Sequence, residues 1–212
     1  MAEMKPDKKS LKKILVVGND TYYQIPIYQR PYQWGKEQCE ELLNDLFENY
    51  EDHGEDDYFC GSLVFIQSDK DNKTDVVDGQ QRLSTFILLA KVLATLYPVG
   101  DKYQRYLQES WSDRHEDGEK KKRKRLDFDL VGSSAKKDFQ DALDFFDDLD
   151  ASKGENSKSN DPNKGKNSYL KNTICLKNYL EKKRLQTLTL SFNGCILRSI
   201  SSPSPALIPT WH

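Results

Sequence analysis

The chain has 212 residues, of which 36% are hydrophobic, enough for one sizeable core or a small core with a helical subdomain. Its 34 acidic and 32 basic residues give a net charge of -2, so no overall field attracts it to nucleic acid and any DNA contact has to be local. No apolar run reaches the roughly 20 residues that span a bilayer, and the mean hydropathy is -0.81, which predicts a protein of the cytoplasm without a membrane partner.

The cysteines and histidines argue against a zinc site. The four cysteines are widely spaced and show neither the CxxC pattern nor a Cys/His ligand spacing, which is typical of a reduced, cytosolic protein. Cys60 lies in an apolar segment, where a buried structural thiol is the favoured interpretation over a nucleophile.

The first segments in chain order are a leader and an aromatic motif. Met1 to Ser10 is polar and rich in lysine, so we expect a flexible leader, and Lys12 to Val17 begins the ordered part. The motif "IPIYQRPYQW" then spans Ile25 to Trp34 and combines two prolines, three aromatic residues and one arginine. These side chains could form a wall beside a ligand, or the aromatics could fasten an extended segment to the core.

A helix and a hairpin are expected next. Gly35 to Asp52 places apolar residues at helical spacing with acidic residues between them, which predicts an amphipathic helix. Tyr58 to Gln67 is predicted to be a buried strand, "SDKDNK" a turn, and Thr74 to Val77 the partner strand of a hairpin.

The pentapeptide "DGQQR", Asp78 to Arg82, is the most informative motif of the chain. It lies between a short apolar strand and a periodic apolar stretch that ends at Pro98, so it predicts a strand, a glycine turn and the first turn of a central helix. Unpaired backbone N–H groups and the arginine fork would make this turn a phosphate site. Alternatively, Asp78 caps the helix and Gln80, Gln81 and Arg82 form its solvated first turn.

The remaining sequence is more weakly patterned. The basic run "EKKKRKR" from Glu119 to Arg125 indicates a solvated surface or, alternatively, a DNA or RNA contact. Ala135 to Leu149 and Tyr169 to Arg184 predict two further helices, and the low-complexity segment Ala151 to Ser168 predicts a mobile linker.

The two motifs, in this order and with "YFCGSLVFIQ" between them, resemble the N-terminal domain of the GmrSD-type, modification-dependent restriction endonucleases. The resemblance is strong from Tyr22 to Tyr97 and weaker beyond. It implies an α+β fold, a small ParB/sulfiredoxin-like mixed sheet core with helices, followed by a helical extension. The implied organisation is a leader (1–10), a ParB-like nucleotide-binding core (11–117), a helical extension with the basic cluster (118–150), a disordered linker (151–168), a helix (169–184) and an atypical tail (185–212).

The resemblance also implies a nucleoside triphosphate and Mg²⁺ as cofactors. Arg82 and Gln81 would contact phosphate oxygens, Gly79 would permit close backbone approach, and Asp78 would orient Mg²⁺ or a water. Arg30 would add a second positive charge. The expected catalytic residues are Asp78 and Arg82, the expected metal ligand is Asp78, and the expected nucleotide-binding residues are Tyr28, Gln29, Arg30, Gly79, Gln80, Gln81 and Arg82.

The tail from residue 185 onwards departs from the family pattern, and the three histidines cannot form an HNH nuclease. We interpret the chain as a truncated or frame-disrupted relative whose triphosphate hydrolysis would regulate a nuclease domain or subunit acting in trans on modified DNA. Two alternatives stay open: a ParB-like nucleotide-sensing or DNA-binding module without catalysis, and an inactive remnant. A sulfiredoxin-like oxidoreductase would need a nucleophilic cysteine where the loop carries Gln80 and Gln81.

Overall fold

The computed structural model of the chain describes residues 7, 9–15, 22–53, 59–67, 73–96, 107–113, 123–129, 132–145 and 167–187. The strands are β1 (Tyr22–Ile25), β2 (Val64–Gln67), β3 (Lys73–Asp78), β4 (Ser112–Asp113), β5 (Arg123–Lys124) and β6 (Leu126–Phe128). The helices are α1 (Leu11–Leu15), α2 (Lys36–His53), α3 (Gln80–Leu96), α4 (Gly132–Asp144) and α5 (Ser168–Thr187).

A mixed four-stranded sheet in the order β2-β3-β1-β6 forms the centre of the fold. Strand β1 runs parallel to both β3 and β6, and β2 pairs antiparallel with β3 to complete the predicted hairpin. Strands β4 and β5 pair separately. The α+β class with a small mixed sheet is therefore confirmed, while no sequence pattern had identified β6 as a third parallel strand.

The predicted strand from Tyr58 to Gln67 is wrong in its start and in its burial. The chain from residue 59 to residue 63 is not a strand, because Gly61 has a φ of 96°, which an extended strand does not accommodate. Strand β2 is an edge strand that pairs with β3 alone, and Ile66 on it is 57% exposed. Its apolar residues contribute to a half-buried edge of the sheet rather than to its centre.

Helix α3 is the central helix, as its apolar sequence predicted. Nearly every residue from Gln80 to Ala94 is buried, because the helix packs between the sheet and the other helices. Helix α2 shows the predicted amphipathic pattern, with Cys39, Leu43 and Leu46 in the same core.

Helix α5 belongs to this core, although more than twenty residues of polar sequence separate it from α4 in the chain. It packs against α2, α3 and α4, and Leu176 and Leu180 are buried there. Tyr169 in its first turn stacks on Tyr32 of the aromatic motif, with ring centroids 4.2 Å apart. Burial of these side chains stabilises the position of the whole helix.

Several sequence predictions fall outside the described residues. They are the leader except for residues 7, 9 and 10, the turn after residue 67, the helix end at Pro98, the basic run up to residue 122, the linker from 151 to 166 and the tail from 188 onwards. Among the described helices, none has the length and apolar character that a bilayer span requires.

Replacing Leu176 with alanine should lower the free energy of unfolding by about 2–5 kcal/mol, because the leucine side chain is fully buried against the core. Urea unfolding followed by circular dichroism measures this change. Asn178→Ala on the same helix is the control, and its effect should stay within about 0.5 kcal/mol because Asn178 is exposed. Equal, small effects in both variants would show that α5 does not stabilise the core.

Candidate functional site

The two sequence motifs meet at one edge of the sheet. Strands β1 and β3 are parallel neighbours, so the aromatic motif that follows β1 and the turn that follows β3 leave the sheet on the same side. We call residues 26–35 the motif loop. Strand β6 ends at this edge too, since the Asp129 N–H donates to the carbonyl of Ile25 over 2.9 Å. The carboxyl ends of parallel strands are the usual position of ligand sites in such sheets.

The turn between β3 and α3 depends on Gly79. Its φ is 85°, and a Cβ added there would lie 2.4 Å from Cδ2 of Leu63, so any larger residue would be strained and would clash. The first intrahelical hydrogen bond runs from the Leu83 N–H to the Gly79 carbonyl over 2.9 Å. The N–H groups that precede it lack intrahelical acceptors and lie at the positive end of a 17-residue helix. Anion binding at this turn is therefore chemically favourable.

Two glutamines join the motif loop to this turn. Gln80 is only 7% exposed and donates from Nε2 to the carbonyl of Arg30 over 2.8 Å. Gln29 donates from Nε2 to the carbonyl of Val77, near the end of β3, over 2.7 Å. Gln80 therefore binds the backbone of the motif loop, and Gln29 of the motif loop binds the strand backbone just before the glycine turn.

Gln81 is the third and most heavily used glutamine. Its Oε1 accepts hydrogen bonds from the N–H groups of Gln33 and Trp34, over 2.7 and 3.2 Å, and its Nε2 donates to the carbonyl of Pro31 over 3.2 Å. The side chain is 7% exposed. In the structure the amides of Gln80 and Gln81 thus position the motif loop, and their direct contact with a nucleotide stays a prediction.

Arg82 is held at the rim of the same edge by Gly61 and Ser62, to which the sequence analysis gave no role in the site. Its Nη1 donates to the carbonyl of Ser62 over 2.8 Å. The guanidinium lies against Gly61, where an added Cβ would come within 2.6 Å of Cζ. A guanidinium carries five N–H donors in a plane, so this one bond leaves most of its donors for an anion. The signal in the sequence was the glycine before β2.

The three aromatics of the motif loop divide between the two interpretations. Tyr32 is 8% exposed and packed in the core, and Trp34 is half-buried against it, so these two fasten the loop. Tyr28 is 66% exposed at the rim, and Arg30 and Asp78 are exposed as well. The structure therefore offers one aromatic side chain, rather than three, as a surface for a ligand.

Asp129 is a second carboxylate at this edge, and sequence reasoning missed it. It follows the last residue of β6 and is exposed. Because β3 and β6 flank β1, the backbones that carry Asp78 and Asp129 are separated by two strand spacings, about 10 Å. The "DFD" sequence could have drawn attention to it only if β6 had been placed beside β1. Among the described residues, no three His, Cys, Asp or Glu side chains form a ready metal cluster.

Cys60 lies close to Arg82, but its chemistry differs from that of a catalytic thiol. Burial raises the pKa of the Cys60 thiol to about 12, although the charge of the Arg82 guanidinium acts in the opposite direction. The thiol therefore keeps its proton at neutral pH, and a protonated thiol is a poor nucleophile. This agrees with its interpretation as a structural cysteine.

Comparison with known families now adds to this geometry. A family model described as the N-terminal domain of the GmrSD restriction endonuclease matches residues 11–204. The chain therefore belongs to the family of GmrSD restriction endonuclease N-terminal domains, and it is a module of the restriction-system type. The match covers both motifs and also α4 and α5, where the resemblance read from the sequence was weaker. A search of curated proteins gave no match.

Gln81→Met should destabilise the protein by about 1–3 kcal/mol, because methionine has a similar length but leaves backbone groups of the motif loop without partners. Thermal and urea unfolding measure this loss. The control is Gln38→Met, since the Gln38 Oε1 also accepts from a backbone N–H, that of Gly35, but at an exposed position where water can replace it. A loss no larger than that of the control would contradict the structural role of Gln81.

Alkylation of Cys60 by iodoacetamide should be more than about a hundredfold slower at pH 7 in the folded protein than in urea, because the thiolate is scarce when the pKa is about 12. The rate should rise about tenfold for each pH unit up to that pKa, for as long as the fold persists. Peptide mass spectrometry assigns the labelled cysteine. Labelling of the folded chain at the unfolded rate would make Cys60 a reactive thiol.

Proposed function

We propose that the chain binds a nucleoside triphosphate with Mg²⁺ at the sheet edge formed by the ends of β1, β3 and β6, and hydrolyses it. One observation supports this most directly. The three glutamine contacts bring the start of α3, Arg82, Arg30, Tyr28 and Asp78 to a single edge of the sheet. Arginines, backbone N–H groups, a carboxylate and an aromatic ring are the groups that a metal-bound triphosphate requires.

The phosphates would lie over the glycine turn. The N–H groups of the first turn of α3 and the guanidinium of Arg82 supply donors and positive charge there. Arg30 is exposed on the motif loop, and its own carbonyl is tied to Gln80 in that turn. Its guanidinium therefore lies within side-chain reach of the same phosphates. This supports the expectation that Arg30 adds a second positive charge there. Gly79 lets the backbone approach the phosphates closely.

The metal would lie near the end of β3, and the nucleobase would lie near the motif loop. Asp78 is exposed at the last position of β3, and one or two carboxylates with phosphate oxygens and waters make up a usual Mg²⁺ site. Asp129, across β1, is the candidate for a second carboxylate. Tyr28 offers an exposed ring on which any base can stack, which favours binding without strong base preference.

The chain's own contribution to hydrolysis is positioning and charge neutralisation. Bound Mg²⁺ would neutralise the charge that develops on the transferred phosphoryl group. Arg82, held by the Ser62 carbonyl and lying against Gly61, would meet the phosphates with little reorganisation during the reaction. Asp78 would orient the metal or the attacking water. Hydrolysis would in turn regulate a nuclease domain or subunit acting in trans on modified DNA, which is the role that membership of a restriction family favours.

Arg82→Ala should weaken triphosphate binding by at least about a hundredfold, because a charge-assisted contact to phosphate is lost. Isothermal titration with each of the four ribonucleoside triphosphates and Mg²⁺ measures the affinity, and circular dichroism confirms folding. Lys137→Ala removes an exposed cation from α4 and should leave the affinity unchanged. Equal affinity in folded Arg82→Ala and wild type would disprove the phosphate role of Arg82.

Asp78→Asn should retain binding but lower metal-dependent phosphate release by about a hundredfold or more, since the amide keeps the shape and loses the charge that holds Mg²⁺. Phosphate release is followed over a Mg²⁺ titration. Asp45→Asn on the exposed face of α2 is the matched control. Full turnover in Asp78→Asn would remove the metal assignment. Binding by the wild type without any phosphate release would instead indicate a nucleotide-sensing module.

A further inference from the structure

Asn172 of α5 lies 140 residues from Tyr32 in the chain and yet contacts the motif loop directly. Its side chain is 2% exposed, and its Nδ2 donates to the Tyr32 hydroxyl over 2.9 Å and to the Trp34 carbonyl over 2.7 Å. An amide nitrogen has two hydrogens, so both are used. A buried polar group with both donors satisfied fixes the geometry of its partners strongly.

The contact continues from Tyr32 into the first turns of α3. The Thr85 hydroxyl donates to the carbonyl of Gln81 over 2.8 Å, so its oxygen must accept the proton of the Tyr32 hydroxyl, 2.7 Å away. Burial raises the pKa of Tyr32, which keeps that proton in place. A hydrogen-bond chain therefore runs in one direction from Asn172 through Tyr32 and Thr85 to Gln81.

Both branches from Asn172 end on the same residue. The hydrogen-bond chain through Tyr32 and Thr85 reaches the backbone carbonyl of Gln81. The other bond of Asn172 goes to the carbonyl of Trp34, and the N–H of Trp34 in turn donates to the Gln81 side chain. The stack of Tyr169 on Tyr32 adds a second contact between α5 and the loop. Displacement of α5 would thus disturb the loop and the helix start that flank the nucleotide site.

We propose that Asn172 is a positioning residue for the nucleotide site and that it couples the site to the docking of α5. The inference rests on the proposed function, because the site is the one assigned there to the triphosphate. Nucleotide binding needs the loop and the start of α3 in one fixed arrangement, and the docked α5 selects that arrangement. By linkage, a bound nucleotide stabilises the docked α5 by the same factor. Occupancy of the site is therefore transmitted to the docking of this helix.

The first test compares variants in hydrogen exchange without any ligand. Asn172→Ala should speed amide exchange at Gln33 and Trp34 by about tenfold or more relative to the wild type, since the loop loses a contact that holds it against the core. Leu176→Ala is the matched control, because its buried side chain stabilises the same helix but has no polar atom that could bond the loop. Unchanged exchange at Gln33 and Trp34 in Asn172→Ala, or equal acceleration in both variants, would overturn the positioning role.

The second test adds nucleotide. Tyr32→Phe keeps the aromatic stack and removes the hydroxyl, so it interrupts the hydrogen-bond chain from Asn172 to Gln81 with little change in the shape of the side chain. Under conditions where every variant is folded, Asn172→Ala and Tyr32→Phe should each weaken triphosphate binding by about tenfold, the double variant should lose less than the product, and Asn178→Ala, at an exposed position of the same helix, should bind normally. Independent, multiplicative losses, or an equal loss in Asn178→Ala, would refute the coupling.

The third measurement uses the wild type alone. Triphosphate and Mg²⁺ should slow amide exchange across residues 168–187 as well as in the motif loop. Protection of the loop without protection of α5 would refute the coupling while leaving nucleotide binding intact. If the folded wild type binds no triphosphate, the proposed function fails, and the ligand-free exchange of Gln33 and Trp34 still decides whether Asn172 positions the loop.

Discussion

The rest of the site depends on the hydrogen bonds that the buried side chain of Gln81 makes with the motif loop. One amide satisfies two N–H groups and one carbonyl of the motif loop, in a segment that contains two prolines and forms no regular structure of its own. The backbone groups of such a loop that pack against the core need partners elsewhere. Gln81 provides them from the first turn of α3, and this contact fixes the loop to the end of β3.

The fold places this contact at a position where parallel strands end. Strands β1, β3 and β6 run in one direction, so the turn with Gly79, the motif loop and Asp129 all leave the sheet at one edge. Polar side chains that satisfy the backbone occupy the interior of the site, namely Gln29, Gln80 and Gln81. Charged and aromatic side chains lie at its rim. The glutamines of both motifs thus have a structural role, whereas Arg30 and Arg82 lie at the rim, where the proposed ligand would bind.

Helix α5 extends the site into the remote part of the sequence. Burial of its leucines stabilises the helix against the core, and the hydrogen bonds of Asn172 fix the position of the loop relative to the helix. Under the proposed function, a nucleotide signal has to leave the domain that binds it. A helix whose docking shares hydrogen bonds with the binding loop offers a physical route for that signal.

The sequence by itself determined the family, the α+β class and the central helix after Asp78, because these follow from local patterns: apolar periodicity, a glycine turn and the order of the motifs. The meeting of the two motifs was decided by the parallel pairing of β1 with β3. The sequence did not determine that Gln80 and Gln81 face backbone, that Tyr32 is buried while Tyr28 is exposed, or that Asp129, Gly61 and Asn172 belong to the site. These depend on contacts between residues tens to more than a hundred positions apart. The pairing of β3 with β1 and β2, the pairing of β6 with β1 and the packing of α5 decided them, since the partners of a polar side chain depend on tertiary distance rather than on sequence spacing.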